Sequence, residues 1–178
     1  MLLEGLLSVD AFLALFKDAL SAIKEPRFFD TERGYQGELI FELRKRLPFA
    51  AFEGEPVIEQ EYQKTLPKHG ITIRPDLIIH IPFERGTTAT RINGNFVAVE
   101  IKLRASAEAA EGDFESLRLL KERMGYPITI FLNLDSSETH TSRCPAIIAE
   151  QTACFAVCLR DDEAVVLMER CGRKRPSA

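Results

Sequence analysis

Two stretches decide the fold, Ile71-Thr-Ile-Arg-Pro-Asp-Leu-Ile-Ile-His-Ile81 and Phe96-Val-Ala-Val-Glu-Ile-Lys-Leu103. Both alternate apolar residues with other side chains at the two-residue period of a β-strand, so each is predicted to have one fully apolar face. The opposite face carries Asp76 in the first stretch, and Glu100 and Lys102 in the second. An ionised carboxylate in a buried strand is costly unless it is paired or holds a metal. These three residues are therefore the first candidates for a functional site.

The residues around the two stretches predict an antiparallel meander. Its strands are expected over 56–62, 70–81 and 95–103. Turn-forming residues at 66–70 and 91–94 separate them. If the second and third strands pair, their polar faces lie on the same side of the sheet. We therefore expect Asp76, Glu100 and Lys102 to converge.

Helices are predicted on both sides of the meander, and further strands follow it. Apolar residues recur at helical spacing in each helix, with Ser8 starting the first and Pro48 and Gly125 following the second and third. The predicted helices cover 8–24, 35–47 and 111–124, and the further strands cover 127–134, 146–149, 153–159 and 164–169. The segment 127–134 is a continuous apolar run, which is typical of a strand covered on both faces. Residues 171–178 are expected to be a frayed basic tail.

The composition predicts one globular domain over residues 1–178. The chain has a mass of 20.1 kDa, 46% apolar and 28% charged residues, which excludes disordered and collagen-like classes. The longest uncharged run, 124–134, is too short to cross a bilayer, and the N-terminus with Glu4 has no basic signal region. We therefore expect a cytoplasmic protein, with its four cysteines as reduced core thiols rather than a zinc site. The net charge of −4 means that any nucleic-acid contact must be local.

Two carboxylates and a lysine on neighbouring strands suit one kind of chemistry. Oxygen ligands from Asp76 and Glu100, with the backbone carbonyl of Ile101 and water, suit Mg²⁺, for which Mn²⁺ is a substitute. The ammonium of Lys102 can stabilise charge that develops on a phosphate and orient an attacking water. These parts predict metal-assisted hydrolysis of a phosphodiester.

The pair of motifs Arg74-Pro75-Asp76 and Glu100-Ile101-Lys102 resembles the signature of the PD-(D/E)XK nuclease superfamily. In that family a helix with a glutamate precedes a β-meander holding the Asp and the (D/E)XK strand, and a helix and another strand follow. The core segment 34–134 has this order. The resemblance implies an α/β, restriction-endonuclease-like fold with a mixed central sheet flanked by helices (α-β-β-β-α-β). This chain adds an N-terminal helix and C-terminal strands to that core.

The resemblance also implies a function and roles for individual residues. The function is Mg²⁺-dependent cleavage of DNA, although nothing in the residues separates DNA from RNA. Asp76 and Glu100 would be metal ligands, and Lys102 would organise the attacking water. Glu38 would be the auxiliary acidic ligand on the helix, with Glu42, one turn further, as its alternative. Many members carry a polar residue such as Gln in the helix after the lysine strand, where this chain offers Asp113, Glu115 and Arg118.

Weaker candidates and alternatives remain open. Arg74, Arg104 and His80 are candidate substrate contacts, and each is equally explained as a neighbour in an ion pair on the sheet face or rim. The three central charged residues could likewise form a solvated sheet face. The alternative function is a non-catalytic interaction module of this fold, or a subunit that needs a partner. A homodimer could form through the N-terminal helix, whose apolar stripe could instead cap the sheet.

Overall fold

The computed structural model describes residues 7–52, 54–62, 64–65, 69–82 and 92–172. The α-helices in these ranges are α1 (Val9–Ala22), α2 (Glu32–Arg46) and α3 (Ala107–Met124). The strands are β1 (Val57–Gln60), β2 (Leu77–His80), β3 (Asn95–Leu103), β4 (Ile128–Leu134), β5 (Thr152–Arg160) and β6 (Glu163–Arg170). Short 3-10 helices cover Pro26–Asp30, Phe49–Ala51, Thr141–Arg143 and Ala146–Gln151. The predicted turn residues 66–68 and 91, and the tail 173–178, lie outside the described residues.

The strands form one mixed sheet in the order β1-β2-β3-β4-β5-β6. The first three strands are the predicted antiparallel meander, β3, β4 and β5 run parallel, and β6 returns antiparallel to β5. All residues of β4 are buried, so the prediction of a strand covered on both faces is confirmed. The mixed α/β architecture with flanking helices is therefore confirmed as well. None of the helices in the described ranges has the length and hydropathy that a bilayer span requires.

The side chains of β3 alternate between the two faces of the sheet, as its sequence pattern predicts. Val97, Val99 and Ile101 are buried in the apolar cluster that includes residues of α1 and α2, whereas Ala98 is buried in the cluster that includes residues of α3. Successive side chains of a strand point to opposite faces. Glu100 therefore lies on the side of the sheet that α3 covers, as Lys102 does.

The apolar stripe of α1 caps the sheet. Ser8 caps the helix, since its Oγ accepts a hydrogen bond from the Ala11 N–H at 3.1 Å. The fully buried Phe12 and Phe16 pack with ring-centroid distances of 5.2 Å to Phe96 and 5.1 Å to Phe155. The capping alternative considered from the sequence is therefore the one that these buried residues support.

Several predicted boundaries need correction. Helix α2 begins at Glu32 rather than at residue 35, because Thr31 Oγ1 accepts the Gly34 N–H and caps the helix one turn earlier. Strand β2 is shorter than the predicted 70–81, because Pro75 has no N–H for a ladder hydrogen bond. Ile73, before β2, consequently packs on the α3 side and not with the other apolar face of the strand.

Two predictions near the C-terminus are wrong. The short apolar segment 146–149 is not a strand but part of the 3-10 helix Ala146–Gln151, which Pro145 precedes. A short apolar run does not by itself distinguish the two structures. Cys171 is not frayed, because only 3% of it is exposed and its N–H donates to the Thr152 carbonyl at 3.1 Å.

Candidate active site

The three predicted residues meet at the carboxyl end of β3, between the first turn of α2 and the middle of α3. Asp76 Oδ2 accepts a hydrogen bond from the Ile101 N–H at 2.6 Å. The carboxyl groups of Asp76 and Glu100 are close enough to interact by a hydrogen bond, which favours ionisation of Asp76 over that of Glu100. Lys102 is close enough to both acids to attract them electrostatically. Asp76, Glu100 and Lys102 therefore lie close together in the structure, as the alternation of the two strands predicts.

The position of the Asp76 side chain follows from where the pairing of β2 with β3 ends. The last paired residues are Leu77 and Val99, and in that register Pro75 comes opposite Ile101. Pro75 has no N–H to give to the Ile101 carbonyl, while the Asp76 side chain takes the Ile101 N–H. The N–H and carbonyl of a strand residue face the same neighbouring strand. The Ile101 carbonyl therefore lies on the side of the strand where Asp76 is held.

The backbone of Asp76 is fixed from two directions. Its carbonyl accepts the Glu61 N–H at 2.9 Å, just beyond the end of β1. The same carbonyl accepts the side-chain amide of Gln36, a buried residue of α2. These bonds connect the start of β2 to both β1 and α2, so the position of the carboxylate does not depend on the strand ladder alone.

Burial and mutual repulsion make the acids hard to ionise together. Burial raises the pKa of Asp76. Burial, followed by repulsion from Asp76 and Asp113, raises the pKa of Glu100 well above its usual range. Burial also raises the pKa of Asp113 to about 6, despite the attraction of Lys102. A cluster of this kind gains stability from any positive charge placed among its oxygens.

Asp113 lies near these residues, although no role for it could be defined from the sequence. Its Oδ1 lies 3.9 Å from the Lys102 ammonium, and its side chain is 16% exposed. Within the described ranges, Asp113 Oδ2 is a buried oxygen that has no hydrogen-bond partner. The sequence places this residue in the helix after the lysine strand, but only the packing of α3 on the sheet shows which of its polar residues faces Lys102.

The carboxylate of α2 that lies near these residues is Glu32, and neither Glu38 nor Glu42 is seen to interact with them. Glu32 Oε1 accepts the Leu103 N–H at 2.8 Å, and its charge raises the pKa of both Asp76 and Asp113. At 3.6 residues per turn, Glu38 lies about 200° around α2 from Gln36, which contacts Asp76. The structure therefore places Glu32, rather than the predicted Glu38, beside Asp76 and Asp113.

Glu42, the alternative to Glu38, has a different role. It is buried and forms ion pairs with Lys45 Nζ at 2.9 Å and with Arg46, both at the end of α2. Burial opposes its ionisation, but these two cations lower the pKa of Glu42 overall. Glu42 thus stabilises the last turn of the helix.

The three weaker candidates all have acidic partners. Arg74 Nη1 lies 3.7 Å from Glu61, and Arg104 Nε donates to Asp135 at 2.7 Å. His80 Nε2 lies 2.7 Å from Glu59 Oε2. His80 is also four residues from Asp76, roughly 13 Å along an extended chain. The ion-pair interpretation of each residue is therefore supported by geometry.

The donor set fits a hard divalent cation with few protein ligands. Within the described ranges, no group of three or more His, Cys, Asp or Glu residues is arranged to hold a metal ion. Mg²⁺, however, often uses only one or two carboxylates and keeps several waters. Asp76 and Glu100 supply two adjacent carboxylates, and Asp113 adds a buried oxygen without a partner. These oxygens suit Mg²⁺ or Mn²⁺ and lack the soft ligands that zinc prefers.

Comparison with known proteins found no relative of this chain. The chain matches no protein-family model, no curated protein and no solved structure. The resemblance to PD-(D/E)XK nucleases therefore stays a prediction from the sequence motifs.

Proposed function

We propose that this protein is a Mg²⁺-dependent nuclease of the PD-(D/E)XK type that hydrolyses phosphodiester bonds in DNA. The observation that carries this proposal is the convergence of Asp76, Glu100 and Lys102 on one face of the sheet, beside a third acid. A solvated sheet face would explain charged residues there, but it would not explain a buried carboxyl such as Glu100, which is 7% exposed.

Each residue then has a defined task. A bound divalent ion supplies Lewis-acid polarisation of the phosphate and a more acidic water. Asp76 and Glu100 bind that ion, and the Ile101 carbonyl faces the same side. The ammonium of Lys102 stabilises negative charge on the phosphate and orients the attacking water. Glu32 fixes the end of β3 through the Leu103 N–H.

Three exposed arginines support the proposal of a nucleic-acid substrate. Each lies within two residues of a site residue in the sequence, and their side chains are 58% to 78% exposed. They are Arg33, Arg74 and Arg104. Exposed ion pairs contribute about 1 kcal/mol or less, so a phosphate can displace the carboxylate partners. This provides local positive charge in a chain whose net charge is −4.

The test of the proposed function is a cleavage assay. The purified protein is incubated with supercoiled plasmid, linear duplex, single-stranded DNA and RNA, each with Mg²⁺, Mn²⁺ or EDTA. We expect cleavage of DNA with either metal and none with EDTA. Cleavage of RNA alone would correct the substrate class. No cleavage of any nucleic acid would contradict the proposal of an independently active nuclease.

The second candidate function is a non-catalytic module of this fold, or a subunit that needs a partner. It is favoured by the absence of a three-residue metal-binding group among the described residues. Calorimetric titration with Mg²⁺ and Mn²⁺ separates the two functions. Binding that Asp76→Asn removes supports the nuclease, whereas no binding supports the silent module.

The position of Glu32 on α2 leads to a direct prediction. We expect Glu32→Gln to reduce cleavage by about tenfold, because its charge lies near Asp76 and Asp113 and its oxygen holds the Leu103 N–H. Glu38→Gln is the matched control on the same helix and should cleave like the unmodified protein. Rates of plasmid nicking measure both effects. A loss of activity in Glu38→Gln with none in Glu32→Gln would restore the original prediction.

A further inference from the structure

Three of the four cysteines form a cluster on the α3 side of the sheet, where Cys154 lies two strands from Glu100 in the same cross-strand row. Cys154 on β5 and Cys171 just after β6 are both buried, with their Sγ atoms 3.2 Å apart. Cys144 follows the 3-10 helix Thr141–Arg143 and is only partly buried. Its thiol is near that of Cys171, and this contact, followed by burial, raises the pKa of Cys144. Cys158 lies four residues further along β5.

The β5–β6 register brings the two buried thiols together. Cys154 is paired with Glu169, and the Cys171 N–H donates to the Thr152 carbonyl at 3.1 Å, so the ladder continues one residue past β6. Glu169 and Cys171 are two residues apart and therefore face the same side of the sheet. Cys154 and Cys171 accordingly lie in the same apolar cluster. Their proximity follows from the strand pairing and not from a flexible loop.

We propose that Cys154 and Cys171 form a reversible disulfide, and that Cys144 is the access thiol through which a small disulfide oxidant reaches them. The two sulfur atoms need to approach by about 1 Å to reach the S–S bond length. Within the described ranges, these cysteines are not part of a group of three or more residues arranged to hold a metal ion. This inference does not depend on the proposed nuclease activity.

The exchange reactions balance without any further reagent. The Cys144 thiolate attacks an oxidant RSSR, forming Cys144–S–S–R and releasing RS⁻, which takes up the proton lost by Cys144. Cys171 then loses its proton and attacks Cys144 Sγ, which releases the second RS⁻ and forms a Cys144–Cys171 bond. Cys154 attacks Cys171 Sγ and returns Cys144 to the thiol. Overall, two protein thiols are oxidised and one RSSR is reduced to two RSH.

The bond would have a mechanical consequence for the sheet. It would connect β5 covalently to the residue that follows β6, across 17 positions of sequence. A cross-link restricts the unfolded chain more than the folded one. The oxidised protein is therefore expected to melt at a higher Tm than the reduced protein.

The test uses the full-length protein treated with oxidised glutathione under native conditions. Residual thiols are alkylated, the protein is digested without reduction, and the peptides are identified by mass spectrometry. We expect a single intramolecular link between Cys154 and Cys171, two alkylated cysteines, a higher Tm, and reversal by dithiothreitol. Alkylation of all four cysteines after treatment, or a link that involves Cys158, would overturn the proposal.

Variants test the part played by Cys144. Cys144→Ser should still form the link but about tenfold more slowly, since the oxidant must then react with a buried thiol. Cys158→Ser is the matched control and should oxidise at the unmodified rate. A Cys144→Ser variant that oxidises as fast as the unmodified protein would overturn the access role. The peptide map of the unmodified protein decides the pairing even if a buried substitution impairs folding.

Discussion

Replacing Lys102 by Ala is expected to reduce DNA cleavage by about 10³-fold while leaving the fold intact. The ammonium is the positive side chain that faces both acids and the Asp113 carboxylate, and the phosphate charge would develop beside it. Its side chain is 35% exposed, so its loss opens no large cavity in the core. The rate of plasmid cleavage measures the effect, and circular dichroism checks the fold.

The same substitution at Lys121 provides the control. Lys121 lies on α3, and its ammonium donates to the Ile147 carbonyl at 3.2 Å, away from the acids. Lys121→Ala should cleave at the unmodified rate. A Lys102→Ala variant that retains full activity would leave the proposed mechanism without its water-organising residue, and the assignment would fail.

Asp76→Asn should abolish cleavage to a similar degree for a different reason. The amide oxygen of Asn can still accept the Ile101 N–H, so the local structure is kept, but the negative charge that a divalent cation needs is lost. Asp161→Asn, in the turn between β5 and β6, is the matched control. Asp161 has a φ of 50°, a conformation that Asn also adopts readily.

Glu100→Gln is expected to abolish divalent-metal binding and, at the same time, to stabilise the metal-free protein at neutral pH. Burial and two neighbouring acids raise the pKa of Glu100 in the folded state. A group with a raised folded pKa contributes stability that is present below its unfolded pKa and is lost as the pH rises through the folded value. The unmodified protein should therefore lose stability as the pH rises above about 4, the ordinary glutamate range.

A glutamine at position 100 has no charge at any of these pH values, so the variant should not lose stability in this way as the pH rises. We expect the free energy of unfolding of Glu100→Gln to exceed that of the unmodified protein at pH 7.5, since the neutral amide is not repelled by Asp76 and Asp113. The two proteins should be nearly equal near pH 4. Urea unfolding at the two pH values, with EDTA present, measures the difference.

Two controls make this second prediction specific. Glu115→Gln removes an exposed carboxylate that pairs with Arg118 on α3, and it should give no gain in stability at pH 7.5. Adding Mn²⁺ should raise the Tm of the unmodified protein but not that of Glu100→Gln. A Glu100→Gln variant that is less stable at pH 7.5 would contradict the view of Glu100 as a buried, repelled acid.

The sequence predicted the central strands of the site well because their pattern is regular. In β3 the alternation is unbroken from residue 97, and both its bounds and its facing match the structure. It predicted the neighbouring irregular segments less well. Residues 71–76 alternate like a strand, but Pro75 cannot donate to the ladder, so the strand begins only at Leu77.

The helix residues of the site depend on packing that the sequence does not contain. Glu32 was missed because the first turn of α2 carries no apolar periodicity, although Thr31 was available as a capping signal. The role of Asp113 depends on how α3 is rotated on the sheet, which a list of polar residues in that helix does not reveal. Local periodicity therefore located the strand acids, whereas long-range packing selected the helix acids.

The arrangement of strands around β3 has a consequence for folding. Asp76 belongs to the antiparallel meander, whereas Asp113 reaches Lys102 only after the parallel crossover through α3 has docked. A folding intermediate that contains only the meander, or only the crossover through α3, lacks part of the candidate active site. Because such distant pairings form late, we expect the complete set of acids around Lys102, and with it the proposed activity, only at the end of folding.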